Sequence, residues 1–226
     1  MMATAAAAIL AELKELGTEQ NCKIYRRHGV QDELFGVSYG NLNALKKRIK
    51  VDHDLALALW DSGNHDARVL ATMIADPKQA DDALLDKWMG AVSSYVIADA
   101  LSGYISRTKF AREKAEQWTQ ADAEWMGTVG WNLMTYLAQK DKKLPDEYFA
   151  PYLETIERDI HKQKNRVRYS MNNVVIALGL RNADMEARAI AAAERIGAVE
   201  VDHGETGCQT PAAVAYIQKA NARKKK

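Results

Sequence analysis

Residues 52–77, DHDLALALWDSGNHDARVLATMIADP, decide the fold class of this chain. Leu55, Leu59 and Trp60 recur at the spacing of one helical face, so the first part predicts a short amphipathic helix. The residues DSGN that follow are typical of a turn, and an Asp-Pro pair ends a second apolar segment that begins at His65. The stretch therefore predicts two helices joined by a tight turn, which is a helical hairpin.

The same pattern of short helices and turns continues in both directions. Helical periodicity dominates and period-two alternation is never sustained, so we predict ten helices or more and almost no β-strand. Helices this short and frequent bury their apolar faces only against neighbouring helices, as in a solenoid. The sequence therefore predicts an all-α fold, a HEAT-like or armadillo-type α-α superhelical solenoid. The predicted helices are Thr4 to Leu16, Asn21 to His28, a helix through Leu42 and Ile49 capped by Ser38 or Asn41, Asp52 to Trp60, His65 to Ala75, Asp82 to Val92, Ser94 to Ile105, Lys109 to Trp118, Ala123 to Gln139, Pro145 to Lys162, Asn165 to Leu180, Ala183 to Ile196 and Ala212 to Ala222.

We expect residues 1–226 to form a single HEAT-like repeat domain, because no Gly/Ser-rich or Pro-rich linker interrupts the chain. Residues 199–226 depart from the hairpin pattern and are predicted to be a C-terminal loop and helix extension. Asp202 and His203 lie in this polar loop with Cys208. A His-x4-Cys spacing is not a standard zinc arrangement, so we expect a capped loop and no metal ion or cofactor.

The balance of charge excludes a strongly basic nucleic-acid binder, since 31 Lys and Arg residues meet 30 Asp and Glu residues and the formal net charge is +1. Two distant cysteines, Cys22 and Cys208, favour a reducing, cytoplasmic setting. The apolar start from Ala3 to Leu10 runs directly into charged residues, which indicates an amphipathic helix rather than a signal peptide or membrane span. We expect a monomer with no membrane partner.

Two local clusters of cations provide positive charge despite the neutral balance. Phosphate contacts need cations without base readout, so both clusters suit a surface that grips a nucleic-acid backbone. The alternative is that each is a solvated helix end. The first basic cluster is Lys46, Lys47 and Arg48, with Lys50 just beyond them, and the second basic cluster is Lys162, Lys164, Arg166 and Arg168.

Several short stretches between Cys22 and Asn182 share the pattern of one known family. They are Tyr25-Arg26-Arg27-His28-Gly29-Val30, Phe35-Gly36-Val37, Leu57-Ala58-Leu59-Trp60, His65-Asp66-Ala67-Arg68 and Ala71-Thr72-Met73-Ile74-Ala75-Asp76-Pro77. With them the chain resembles the bacterial DNA alkylation repair family of the AlkD type. The resemblance implies a HEAT-repeat solenoid that clasps duplex DNA on a concave face. It also implies release of purine bases made cationic by alkylation, which leaves an abasic site.

The resemblance implies a working site as well. The family's aromatic-x-x-x-Asp element falls on Tyr95 and Asp99, one turn apart on one helix face, with tyrosine where the family usually has tryptophan. The family's arginine falls on Gly127 or Thr128 and its second tryptophan near Ile176, so neither is kept. A carboxylate stabilises the cationic sugar that forms as a base departs, and an aromatic face attracts the same cation. The alternative is that Asp99 forms a structural hydrogen bond and Tyr95 packs between helices.

These observations leave two functions open. The first is a DNA alkylation repair-like protein that binds duplex DNA and, with Asp99 and Tyr95 as catalytic residues, acts as a DNA glycosylase. The second is a non-catalytic HEAT-repeat scaffold whose concave face binds nucleic acid or protein. The retained Asp99 favours the first function, and the missing arginine and tryptophan favour the second. We rank the repair-like function first, because it includes both an active and an inactive relative.

Overall fold

A computed structural model describes residues 2–224 of the chain and the side chains of residues 4–223. Within that range the chain forms thirteen α-helices and no β-strand, with one isolated antiparallel bridge between Gly17 and Val37. The predicted all-α fold is therefore confirmed. None of the described helices is both long enough and apolar enough to cross a membrane.

The helices belong to two compact units. Unit 1 comprises the described residues up to Phe110 with Gly204–Thr206, and unit 2 comprises Ala111–His203 with the described residues from Gly207 onward. The helices of unit 1 are α1 Met2–Leu16, α2 Glu19–Arg27, α3 Tyr39–Ile49, α4 His53–Asp61, α5 His65–Ile74, α6 Asp82–Gly90 and α7 Tyr95–Ile105. The helices of unit 2 are α8 Ala111–Trp118, α9 Glu124–Lys140, α10 Asp146–Asp159, α11 Asn165–Gly179, α12 Ala183–Ile196 and α13 Ala213–Lys224. Short 3-10 turns cover Pro77–Gln79 and Ile160–Lys162.

Side-chain caps explain why the sequence located so many helix starts. At seven of them a Ser, Thr, Asp or Asn side chain accepts a hydrogen bond from a backbone N–H in the first turn, which satisfies a donor that the helix itself leaves unpaired. Ser38, rather than Asn41, caps α3. The capping residues are Thr18, Ser38, Asp52, Asn64, Asp81, Ser94 and Asn182.

The hairpin that decides the fold class is α4 and α5, which pack against each other across the predicted turn. Helix α5 also contacts α3 and α7, so the return helices of successive hairpins form a row within unit 1. Beneath that row the Trp60 and Trp88 rings stack with centroids 4.3 Å apart. Each hairpin therefore buries its apolar face against the next hairpin, as expected for a helical repeat.

Unit 2 repeats this arrangement with α9 packed against both α8 and α11. Trp118 and Trp131 are buried in unit 2, whereas Trp125 is half-buried. The predicted C-terminal loop is fixed to α11 by the Asn165 side chain, which pairs with both backbone groups of Asp202 at 2.7 and 2.8 Å.

Candidate nucleic-acid interface

Four rings and a carboxylate surround a shallow hollow on unit 1. The rings come from the end of α2, the start of α3 and the start of α7, and the carboxylate lies one turn further along α7. The hollow has a volume of about 240 Å³, and we call it the ring hollow. Tyr95 and Asp99, the predicted catalytic residues, therefore both line one surface site. The lining residues are Tyr25, His28, Tyr39, Tyr95 and Asp99, with the apolar side chains of Ile24 and Val96.

A second hollow of about 330 Å³ adjoins the first and shares Tyr39 and Asp99 with it. Helices α3, α5 and α7 form its walls, and we call it the cationic hollow because Lys46 and Arg107 line it. Lys46 is exposed. The Arg107 guanidinium donates to the backbone carbonyl of Thr72 at 2.8 Å, which fixes its direction while leaving other N–H groups of the fork. Aromatic faces and positive charge therefore lie side by side on unit 1.

Tyr95 is oriented by a residue from another helix end. Its hydroxyl forms a hydrogen bond with Nδ1 of His28, and the two rings meet edge to face with centroids 6.0 Å apart. His28 is the C-cap of α2, and Ser94 is the N-cap of α7. The site thus joins two helix ends that are far apart in sequence, and the ring of Tyr95 forms a fixed wall.

The backbone that leads into Tyr39 is fixed by a buried carboxylate. Asp66 is 1% exposed and accepts hydrogen bonds from the backbone N–H groups of Phe35, Gly36 and Val37 at 2.6, 3.1 and 2.9 Å. The Tyr25 hydroxyl donates to the Val37 carbonyl at 2.6 Å. Gly36 has φ +78°, and a Cβ there would lie 2.4 Å from a backbone oxygen, so only glycine fits. The stretches that carried the family resemblance therefore build the support of the site.

Two tyrosines of the ring hollow stay uncharged at neutral pH. Desolvation of its hydroxyl raises the pKa of Tyr39 to about 12, and the nearby Tyr25 and Asp99 add to the rise. Desolvation, together with the charge of Asp66, also raises the pKa of Tyr25. Both rings therefore offer neutral aromatic faces with hydroxyl groups that donate hydrogen bonds.

The first basic cluster divides between the site and the scaffold. Lys46 lines the cationic hollow, and Lys47 is exposed on the same helix. Arg48 forms a two-pronged ion pair with Glu12 of α1, with N–O distances of 2.5 and 2.8 Å. The cluster lies in the last turn of α3, where the macrodipole favours positive charge.

The second basic cluster lies on unit 2 around the start of α11. Lys162 pairs with Asp159 at 3.2 Å, and Lys164 is exposed. Arg166 is only 8% exposed and stacks over the Tyr169 ring, 4.6 Å from its centroid. Arg168 is half-buried. Lys162 and Lys164 are thus the members whose charge lies at the surface of unit 2.

The positions of the family's missing side chains are interior ones. A Cβ on Gly127 would lie 3.1 Å from a methyl group of Val167. Thr128 is 1% exposed and donates to the Glu124 carbonyl, while Ile176 is 7% exposed. An arginine or tryptophan at these positions would enter the core of unit 2. The structure thus places the departures from the family pattern at packed positions, away from the surface.

The sequence did not identify several residues that line the hollows. Tyr39 and Arg107 were absent from the predicted site, and Tyr25 and His28 appeared only within a stretch that carried the resemblance. Tyr39 directly follows the Ser38 cap, and Arg107 follows the end of α7. Neither position is a local signal of exposure, because His65, which directly follows the Asn64 cap, is buried. Within residues 2–224, no group of three or more His, Cys, Asp or Glu side chains is arranged to hold a metal ion.

Capped helical hairpins that carry an open aromatic site define a HEAT-like repeat protein with a candidate nucleic-acid interface. The model of the family described as DNA alkylation repair enzyme matches residues 9–217. The chain belongs to this family, which confirms the resemblance drawn from its sequence.

Similar proteins occur in Listeria. The uncharacterized protein Lin0241 of Listeria innocua serovar 6a is 29% identical over 218 residues, covering 94% of this chain and 95% of its own length. The uncharacterized protein Lmo0209 of Listeria monocytogenes serovar 1/2a is 30% identical over 220 residues, covering 95% and 96%.

A solved structure, described as "a new family of proteins related to the HEAT-like repeat DNA glycosylases with affinity for branched DNA structures", has a TM-score of 0.88 to this chain. It is 28% identical and covers 96% of this chain and 94% of its own. This match confirms the HEAT-like repeat fold.

Proposed function

We propose that this protein binds DNA through the two hollows of unit 1 and binds branched DNA more tightly than linear duplex. The observation that carries the proposal is the juxtaposition of four rings with the cations Lys46 and Arg107 on one open surface. The relative with a TM-score of 0.88, described as having affinity for branched DNA, supports the same partner.

The chemistry of a branch point matches this surface. Phosphates are recognised by cations without base readout, whereas bases that have left the duplex stack present flat faces to aromatic side chains. Such bases are rare in a linear duplex and accessible where strands part. Because the chain has almost no net charge, affinity depends on a few placed cations rather than on a general positive field.

A binding titration tests the proposal. A three-way junction and a linear duplex of equal length are compared at low salt by fluorescence anisotropy, and the junction is expected to bind more tightly. Lys46→Gln should weaken binding to the junction and reduce the slope of log K against log salt by about 1. Lys14→Gln is the matched control, since Lys14 is exposed on α1 and lines neither hollow. Absence of binding at low salt, or equal behaviour of the two variants, would favour the scaffold that binds protein.

Lys162 and Lys164, the surface members of the second basic cluster, are proposed as additional phosphate contacts. The double variant Lys162→Gln and Lys164→Gln should bind the junction more weakly than the wild-type protein and with a smaller salt dependence. Arg166 is unsuitable for such a test because it is buried, so its removal would report on folding. Affinity that is unaltered in the double variant would restrict the interface to unit 1.

Base release from alkylated duplex DNA is a second candidate, and it rests on the exposed Asp99 beside the fixed ring of Tyr95. If the protein is an enzyme, Asp99→Asn should lower release of N7-methylguanine on the order of a hundredfold, because a preorganised charge is lost. Tyr95→Trp should increase release if the sugar contacts this ring. Undetectable release by the wild-type protein, with unchanged duplex binding, would reject catalysis and leave binding intact.

We also propose that the protein is a monomer and that it acts in the cytoplasm. A single species with a mass of 25.2 kDa in sedimentation velocity, in the absence of DNA, is the expected result for the monomer.

A further inference from the structure

We infer that the two hollows together hold one unpaired nucleotide at a DNA branch, with its base in the ring hollow and its phosphate in the cationic hollow. This inference rests on the proposed DNA binding and specifies which part of the branch is recognised. It follows from the shared wall of the two hollows, since Tyr39 and Asp99 line both.

The ring hollow has the shape and lining for a base. Its volume of about 240 Å³ is below the usual range of roughly 300–1,000 Å³ for drug-sized ligands, which suits a single flat ring system. Tyr39 is 46% exposed, so much of its surface is accessible to a ligand. Ile24 and Val96 add apolar surface beside the rings. Stacking between a base and such rings tolerates any sequence, because every base has a π face.

Asp99 gives the ring hollow a preference for bases that donate hydrogen bonds. Its exposed carboxylate belongs to the lining, and a carboxylate can accept several hydrogen bonds at once. Adenine, cytosine and guanine each carry an exocyclic amino group that can donate to it, whereas the N3–H donor of thymine lies between two carbonyl oxygens that repel a carboxylate. We therefore expect the site to prefer an amino-bearing base over thymine.

The cationic hollow is placed to bind the phosphate of the same nucleotide. The base and phosphate of one nucleotide are joined through a single sugar, so their sites must adjoin, as these two hollows do. Lys46 is an exposed cation in the cationic hollow, and Arg107 is held there by its bond to the Thr72 carbonyl. Positive charge beside the base site would hold the same nucleotide by its phosphate as well as by its base.

The test compares junctions that differ only at the unpaired position. One three-way junction carries a single unpaired adenine at the branch, a second carries thymine there, and a third carries a tetrahydrofuran abasic analogue. The wild-type protein is expected to bind the adenine junction about tenfold more tightly than the abasic junction, the size typical of one stacked base. The thymine junction should fall between the other two.

Two test variants and one control variant make the comparison specific. Tyr39→Leu should reduce the preference for adenine over the abasic analogue to about twofold or less, because stacking is lost. Tyr216→Leu is the matched control, because Tyr216 is 50% exposed on α13 and belongs to neither hollow. Asp99→Asn should reduce the difference between adenine and thymine. Thermal unfolding of each variant ensures that folded proteins are compared.

The possible outcomes separate this inference from the proposed function. Equal wild-type affinity for the adenine and abasic junctions, with both bound more tightly than linear duplex, would overturn the inference and retain the DNA-binding proposal. An unchanged preference in Tyr39→Leu would also overturn it. Failure to bind any junction would overturn both.

Discussion

At the scale of single residues, the spacing of Tyr95 and Asp99 was enough to predict that they share a site. They lie one turn apart on one helix, so helical geometry alone brings them together. The remaining rings come from other elements: Tyr25 and His28 from α2 and its C-cap, and Tyr39 from α3, after the loop that Asp66 holds. Sequence spacing carries no information on such tertiary contacts, and for this reason His28 and Tyr39 were not selected.

Removal of the Asp66 carboxylate should destabilise the protein strongly. Asp66→Ala leaves backbone N–H groups of Phe35, Gly36 and Val37 without their acceptor, and two of these bonds are buried. Because each unpaired buried donor costs about 1–3 kcal/mol, we expect a loss of roughly 3–5 kcal/mol in the free energy of unfolding. Urea denaturation measures this loss. Asp54→Ala, at an exposed site on α4, should change stability by less than about 0.5 kcal/mol. Similar losses in both variants would contradict the role given to Asp66.

Acid should destabilise the fold through His65. Burial lowers the pKa of His65 despite the opposing charges of Asp66 and Asp32. Between the ordinary histidine pKa of about 6.5 and the lower native value, the unfolded chain binds a proton that the native chain does not. The free energy of unfolding should therefore fall as pH decreases from 7 to 5. Most carboxylates titrate below this window.

His65→Phe keeps the ring contact with Tyr25, which has a centroid distance of 5.6 Å, and removes the titrating group. Its stability should depend less on pH between 7 and 5 than that of the wild-type protein. Part of the slope should remain, because burial and the charge of Arg166 also lower the pKa of His203. Parallel curves for the two proteins, measured by urea titrations at each pH, would exclude His65 as a source of the slope.

At the scale of helices, the sequence predicted most starts and most ends to within two residues, and the largest difference lies at one helix end. Cap residues such as Ser94 and Asn182 are local signals, and the helices that they cap begin directly after them. The predicted helix from Pro145 to Lys162 instead ends at Asp159 and continues as a 3-10 turn. Helix ends depend on tertiary contacts that satisfy the last carbonyls, which a local pattern does not contain.

The two basic clusters lie at helix ends of opposite polarity. The first basic cluster lies at the end of α3, where the macrodipole favours cations, so its composition alone does not demand an anionic partner. The second lies at the start of α11, where the same dipole opposes cations. There the carboxylate of Glu124 accepts the backbone N–H of Arg166 at 2.8 Å and supplies negative charge.

Attachment of the last helix depends on the absence of a side chain at Gly179. A Cβ there would lie 2.5 Å from Cδ1 of Ile217, a fully buried residue on α13. Gly179→Ala should therefore displace α13, lower the free energy of unfolding by about 1–3 kcal/mol and speed hydrogen exchange in α13. Gly90→Ala is the matched control, since no atom lies within 4 Å of its added Cβ. Slow exchange in α13 of Gly179→Ala would contradict this packing.

At the scale of the whole molecule, the all-α HEAT-like fold followed from the short hairpin pattern, because nearest-neighbour packing depends on local periodicity. The binding partner could not be predicted from the local pattern in the same way. The surface that suits DNA is assembled from few cations and rings, and a net charge of +1 conceals it. Composition could exclude a general nucleic-acid binder but could not identify a local one.

We propose that the two compact units unfold as the single domain predicted from the uninterrupted sequence. Differential scanning calorimetry should then show one transition whose calorimetric and van't Hoff enthalpies agree. Asp66→Ala, which weakens unit 1, should move this transition to lower temperature without dividing it. Two transitions, only one of them shifted by the substitution, would mean that the units unfold separately.

The central claim, that DNA is bound at the hollows of unit 1, is tested most directly by photocross-linking. A three-way junction with a single unpaired 5-iododeoxyuridine at the branch is irradiated with the wild-type protein, and the modified peptide is identified by mass spectrometry. The account predicts modification at a ring of the ring hollow, foremost Tyr39, and loss of most cross-linking in Tyr39→Leu. Modification confined to aromatic residues of unit 2, such as Trp125 or Tyr169, with Tyr39→Leu cross-linking as the wild type does, would contradict it.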